Sequence, residues 1–192
     1  AAGRLVQKGN ILNGQKLRHF KSPAEFFNLF SSLLRAMPLT KIARFKKAIY
    51  PAFSERIALA VSGVTNCAYC TWLHTKTSLE KGMSEKEIKS LLDGDIKDAP
   101  QQEAPALFYV QHRADFDGGF SPEARQRIVD FYGEEKAGHI DFMFQTVYFG
   151  NLCSNTVYSV QNNMAQGEKD FKLRLAYFLS LPVAYFIRKG SK

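Results

Sequence analysis

Cysteine is scarce: three in 192 residues, too few and too unevenly spaced for a secreted fold stapled by disulfides. Long apolar runs are missing too. The most apolar stretch, Leu175 to Ile187, covers 13 residues with Pro182 inside it, short of the roughly 20 that a membrane-crossing helix requires. Flanked by Lys172, Arg174, Arg188 and Lys189, it is expected to pack against the core or a second subunit, with contact at a membrane surface the lesser option. No strand of five or more alternating residues stands out. Acids are nearly absent from the first fifty residues, where ten Lys or Arg stand against one acid, Glu25, for a net of +9; the rest of the chain nets −1. Residues Arg4 to Gly9 lack the apolar centre of a signal peptide, and with so few cysteines a reducing, cytoplasmic setting is expected.

What is present describes a helical globular protein. Hydrophobic residues make up 45% of the chain and 16 residues are phenylalanine, which excludes a disordered chain. The length suits one domain with a proper core. Helix punctuation recurs along it. Ser22-Pro23-Ala24-Glu25 is a capping box with proline at the first helical position. Ser84 to Glu87 is a second box, opening a short helix that ends near Asp93-Gly94. Asp98 with Gln101 is expected to start a third helix, running to Gly118-Gly119. Ser121-Pro122 opens another, stopped by Gly133, and a long aromatic-rich segment runs from Glu134 past Gly150. The fold class expected is all-α. The basic first quarter would suit an acidic partner, an anionic membrane or weak nucleic-acid binding. Without a recognised nucleic-acid-reading motif it reads first as a solvated face, so neither nucleic acid nor membrane is the expected partner.

The chemistry concentrates between Glu55 and His74. Two of the three cysteines stand as Cys67-x-x-Cys70, and His74 follows four residues later. On a helix these positions share one face, which sets a dithiol beside a potential base. Asn66 is a good N-cap, so a helix is expected to begin at Cys67 and to stop at Gly82. Sulfurs in a first helical turn lie near unpaired N–H groups that favour thiolate, the form that attacks peroxide or disulfide. A turn at Ser62 to Asn66 would make a helical hairpin and bring Glu55 beside His74, for a relay from Glu55 through His74 to Cys70. Cys70 is then expected to attack peroxide and Cys67 to resolve the product as a disulfide.

Other uses of these residues are weaker. Following Ser54, Glu55 also reads as an acid in the first turn of a helix. His74 on a partly apolar face also reads as a structural histidine, and Cys153 as a small core residue. Structural zinc wants a second ligand pair, and only Cys153, His19, His112 and His139 remain, each isolated. Covalent haem attachment needs histidine directly after the second cysteine, where Thr71 stands. A thioredoxin-like frame needs a strand before Cys67, and Ile57 to Val61 read as helix instead.

Glu55, Cys67-Ala68-Tyr69-Cys70 and His74 at this spacing resemble the signature of the alkylhydroperoxidase D-like branch of the carboxymuconolactone decarboxylase family. Lys81-Gly82-Met83-Ser84 resembles the end of that family's dithiol helix, and the similarity extends more weakly through Gly138-His139-Ile140 to Asn155, so that it covers about residues 40–160. It implies one all-helical domain that assembles into homo-oligomers, with a basic extension at 1–50, a family core at 51–160 and a C-terminal helix at 161–192. It also implies a thiol-dependent peroxidase acting on hydroperoxides and recharged by a thiol donor such as a lipoylated protein. Glu55, Cys67, Cys70 and His74 would be its catalytic residues, with no cofactor and no metal. The chain departs from the well-studied peroxidases at Tyr69, where they carry a second histidine between the cysteines. Tyrosine is a poor base at neutral pH. Branches of the family that process lactones or decarboxylate use acid/base groups, which the cysteine pair does not supply.

Overall fold

The computed structural model describes residues 17–36, 49–119, 121–164 and 170–190. Among the described residues there are eight helices and no strand: α1 (Pro23–Ala36), α2 (Pro51–Thr65), α3 (Ala68–Glu80), α4 (Glu85–Leu92), α5 (Ala104–Asp115), α6 (Pro122–Tyr132), α7 (Glu134–Met164) and α8 (Phe171–Gly190). The all-α expectation holds.

Local chemistry explains most of the helix starts. Ser22, Ser84 and Ser121 each accept a backbone N–H from the residue three positions on, at 3.3, 3.1 and 3.2 Å, satisfying groups that a helix start leaves open. Two starts differ from expectation. The helix expected to start at Asp98 is α5, which begins at Ala104, and no side chain caps it. Asp98 instead holds Lys86 at 2.6 Å, and residues 101–103 form a turn. The second helix begins at Pro51, with proline again in its first turn. Ser54 therefore caps nothing, and its hydroxyl donates to the Pro51 carbonyl at 2.8 Å.

The helix α2 is the centre of the packing, touching α3, α4, α5 and α7. Phe53, Ile57, Leu59, Ala60 and Val61 are fully buried, an all-round apolar surface that suits only an enclosed helix. The long helix α7 covers α2 with Ile140, Phe144, Tyr148 and Leu152, all buried, and carries α1 and α8 as well. Most of the basic first quarter lies outside the described residues. Within them, Arg18 pairs with Asp117 at 2.7 Å and Asp115 at 3.5 Å.

Gly63, in the last turn of α2, lies at a close approach to the end of α4. A Cβ there would stand 2.5 Å from the Leu92 carbonyl oxygen and 3.1 Å from its Cα, and backbone cannot swing aside. Gly63→Ala is expected to destabilise the protein by about 1–3 kcal/mol through overpacking, read as a lowered denaturation midpoint. An unchanged midpoint would mean that the two helices are free to separate there.

Candidate active site

The turn between α2 and α3 sets the geometry. Asn66 has φ +55° and ψ +40° and closes α2, donating its N–H to the Ser62 carbonyl. Asparagine tolerates this left-handed backbone better than most residues. Asn66 is thus the C-cap of α2, and Cys67 itself takes the N-cap of α3, its Sγ accepting the Cys70 N–H at 3.3 Å. The expectation that Asn66 caps a helix starting at Cys67 is corrected by one residue. Lys81 ends α3, and Gly82 follows with φ +82°, the left-handed stop expected of glycine.

Cys67 and Cys70 are joined as a disulfide with Cα atoms 5.3 Å apart. They are 1% and 3% exposed. When the bond is reduced, the capping position offers the Cys67 sulfur a backbone N–H and the positive end of α3, both of which favour thiolate. Tyr69, between the cysteines, lies 5.7 Å from the Trp72 ring, and the Arg188 guanidinium of α8 sits 5.5 Å from the Tyr69 ring centre.

The hairpin brings Glu55 to His74. Glu55 Oε2 lies 2.9 Å from His74 Nδ1, which leaves Nε2 as the nitrogen able to face substrate or sulfur. His74 is one turn beyond Cys70 on the same helix. Glu55 is buried in the second turn of α2, not exposed in its first, so the first-turn-acid reading fails. Its other oxygen accepts from Lys81 Nζ at 2.6 Å. Burial pushes the Glu55 carboxyl up, but hydrogen bonds and charge from His74 and Lys81 outweigh it, and the net direction is below the ordinary glutamate value. Reading the sequence missed Lys81, although a signal existed: 74 and 81 are seven apart, the spacing that keeps two residues on one helix face.

Two buried asparagines on α7 hold the turn from the other side. Asn151 Nδ2 donates to Ser62 Oγ at 3.1 Å and Thr65 Oγ1 at 2.9 Å. Asn155 Nδ2 donates to the Thr65 carbonyl at 2.9 Å and the Arg18 carbonyl at 2.8 Å. They satisfy the last turn of α2, which a helix end would leave open. Next to Glu55, Arg56 joins Glu87 at 2.6 Å and Glu103 at 3.3 Å, locking α2 to the start of α4 and the approach to α5.

Cys153 is fully buried on α7, and burial pushes its thiol up to about 12, consistent with the core reading. Among the described residues no three His, Cys, Asp or Glu side chains gather as metal ligands. A cavity of about 480 Å³ lined by Arg18, His19, Val64, Asp117 and Tyr148, among others, includes none of Glu55, Cys67, Cys70 and His74.

The model of the carboxymuconolactone decarboxylase family matches residues 33–106. That span contains Glu55, Cys67, Cys70, His74 and Lys81, and ends within α5. The weaker similarity expected from Gly138 to Asn155 falls outside it. No curated protein matches the chain, and no solved structure does.

Proposed function

We propose that the protein is a dithiol oxidoreductase that reduces hydroperoxides, the peroxidase-type chemistry of the alkylhydroperoxidase D-like branch. The observation that carries this reading is the buried Glu55 carboxylate bonded to His74 Nδ1, one turn from a cysteine pair that closes a disulfide at the head of the same helix. A carboxylate on one ring nitrogen orients the imidazole so that the other can take a proton from a thiol. The family match over residues 33–106 supports it.

The chemistry starts from the reduced pair. His74 takes the Cys70 proton, and the thiolate attacks the terminal peroxide oxygen. The O–O bond breaks, the alkoxide leaves and is protonated to the alcohol, and Cys70 becomes a sulfenic acid. The Cys67 thiolate then attacks that sulfur, the S–O bond breaks and the oxygen departs as water. An external dithiol, such as a lipoyl group, returns both sulfurs to thiol by two exchange steps and is itself oxidised to a disulfide.

Hydroperoxide consumption with dihydrolipoamide as donor tests the reading. Turnover is expected from reduced protein and is lost after complete alkylation of both cysteines in the reduced state. Lactone turnover that survives the same alkylation would instead establish an acid/base enzyme using Glu55 and His74 alone.

A further inference from the structure

The C-terminal helix α8 has two faces of different character. Leu173, Ala176, Ser180 and Ala184 are buried, with Ile187 against Gly150 of α7 and Ser180 bonded to Cys153. Packing against the core, one of the two roles expected for this stretch beside contact with a second subunit, accounts for that face only. On the other face Phe171, Leu175, Phe178, Tyr185 and Phe186 are exposed, with Phe171 at 76%, Phe178 at 58% and Phe186 at 69%. Pro182 is exposed on the same side. At 3.6 residues per turn these six positions fall within an arc of about 100°. Large apolar side chains left in water along one unbroken stripe mark a place where something else covers them.

Charge narrows what that is. The helix carries no Asp or Glu, while Lys172 and Arg174 border the stripe at its start and Arg188 and Lys189 close its end, all exposed. An antiparallel second copy along this stripe would set Lys172 and Arg174 against the like charges at the end of the partner's helix, with Asp170, which already accepts the Lys172 and Leu173 N–H groups, as the acid beside them. An anionic surface meets Lys172, Arg174 and Lys189, and long basic side chains can reach headgroups while aromatic rings enter the acyl boundary. No described helix is long and apolar enough to cross a membrane, so the helix would lie in the interface. We infer that the exposed aromatic stripe of α8, bordered by Lys172, Arg174 and Lys189, is a docking surface for an anionic phospholipid bilayer. The Arg188 contact with Tyr69 brings the end of this helix to the dithiol turn. The inference stands on α8 alone and does not depend on the peroxidase reading.

Flotation of the full-length chain with vesicles tests it. The protein floats with mixed phosphatidylserine–phosphatidylcholine vesicles, and at least about tenfold less with phosphatidylcholine alone. Raising salt from about 0.1 M to about 1 M, which shortens the screening length from about 10 Å to about 3 Å, releases it. Phe178→Ser with Phe186→Ser weakens partitioning by about tenfold or more at unchanged helix content, and Lys172→Glu with Arg174→Glu does the same. Equal binding to neutral vesicles, no binding to either kind, or serine variants that float like wild type would overturn it. So would serine variants that convert an oligomer into monomers in sedimentation, because the stripe would then be covered by a second copy.

Discussion

Cys70→Ser is expected to lower kcat/KM for hydroperoxide reduction by about 1,000-fold or more, to the level of protein without a nucleophile. Serine keeps the size and the backbone N–H that Cys67 Sγ accepts at 3.3 Å, but its hydroxyl is far less acidic than a thiol and does not become an attacking anion at the head of α3. Cys67→Ser gives a different signature. Cys70 still consumes one equivalent of peroxide, the sulfenic acid persists because its resolving partner is gone, and cycling with dihydrolipoamide stops. Both variants are compared with reduced wild type, so that loss of the disulfide is not mistaken for loss of chemistry. If instead Cys70→Ser consumes one equivalent of peroxide and Cys67→Ser consumes none, the attacking sulfur is Cys67, the one whose Sγ already faces a backbone donor.

The placement of these cysteines beside His74 shows where sequence was a good guide. Spacing alone placed 67, 70 and 74 on one face, and a hairpin was expected from a turn at Ser62 to Asn66; the hairpin forms, but Ser62 to Thr65 stay in α2 and the chain turns only at Asn66 and Cys67. Glu55 met His74 because two helices joined by a short turn must run antiparallel. What failed was the identity of the cap. Asn66 satisfies the rules for a helix start and for a left-handed helix end, and a local motif cannot choose between them. The choice was made by tertiary contacts: Asn151 and Asn155 reach from α7 to Ser62 and Thr65 and hold the end of α2 in place. Those asparagines lie in a stretch that reads only as a long aromatic helix, so their partners 86 to 90 residues away were not legible. The start of α5 at Ala104 failed likewise. Asp98 looked like a cap, but Lys86 claims it. For α8 the sequence was legible only as an apolar stretch flanked by cations, and which side the core would take had to come from the fold.

Glu55→Gln is expected to cost about 100-fold or more in kcat/KM, and His74→Ala about 100- to 10,000-fold, the range for losing a general base or the group that orients it. Glu55 touches neither sulfur nor substrate, so it is a positioning residue, and stability must be separated from rate. Removing its charge strands Lys81, 2.6 Å away, and that alone destabilises the hairpin. The double variant Glu55→Gln with Lys81→Met removes both charges. It should recover most of the lost stability while remaining as slow as Glu55→Gln, because the defect in rate lies at His74 Nδ1 and not in the ion pair. The pH dependence supplies an independent check. The Glu55 carboxyl lies below its ordinary value, so its pairing stabilises the fold at pH above about 4.5 and is lost as pH falls through the depressed pKa. Glu55→Gln should therefore flatten the decline of stability in acid below about pH 4.5 and leave the curve at higher pH parallel to wild type. A double variant that regains its rate along with its stability would show that Glu55 serves only to hold α2 against α3, and His74 would then need another partner to act as a base.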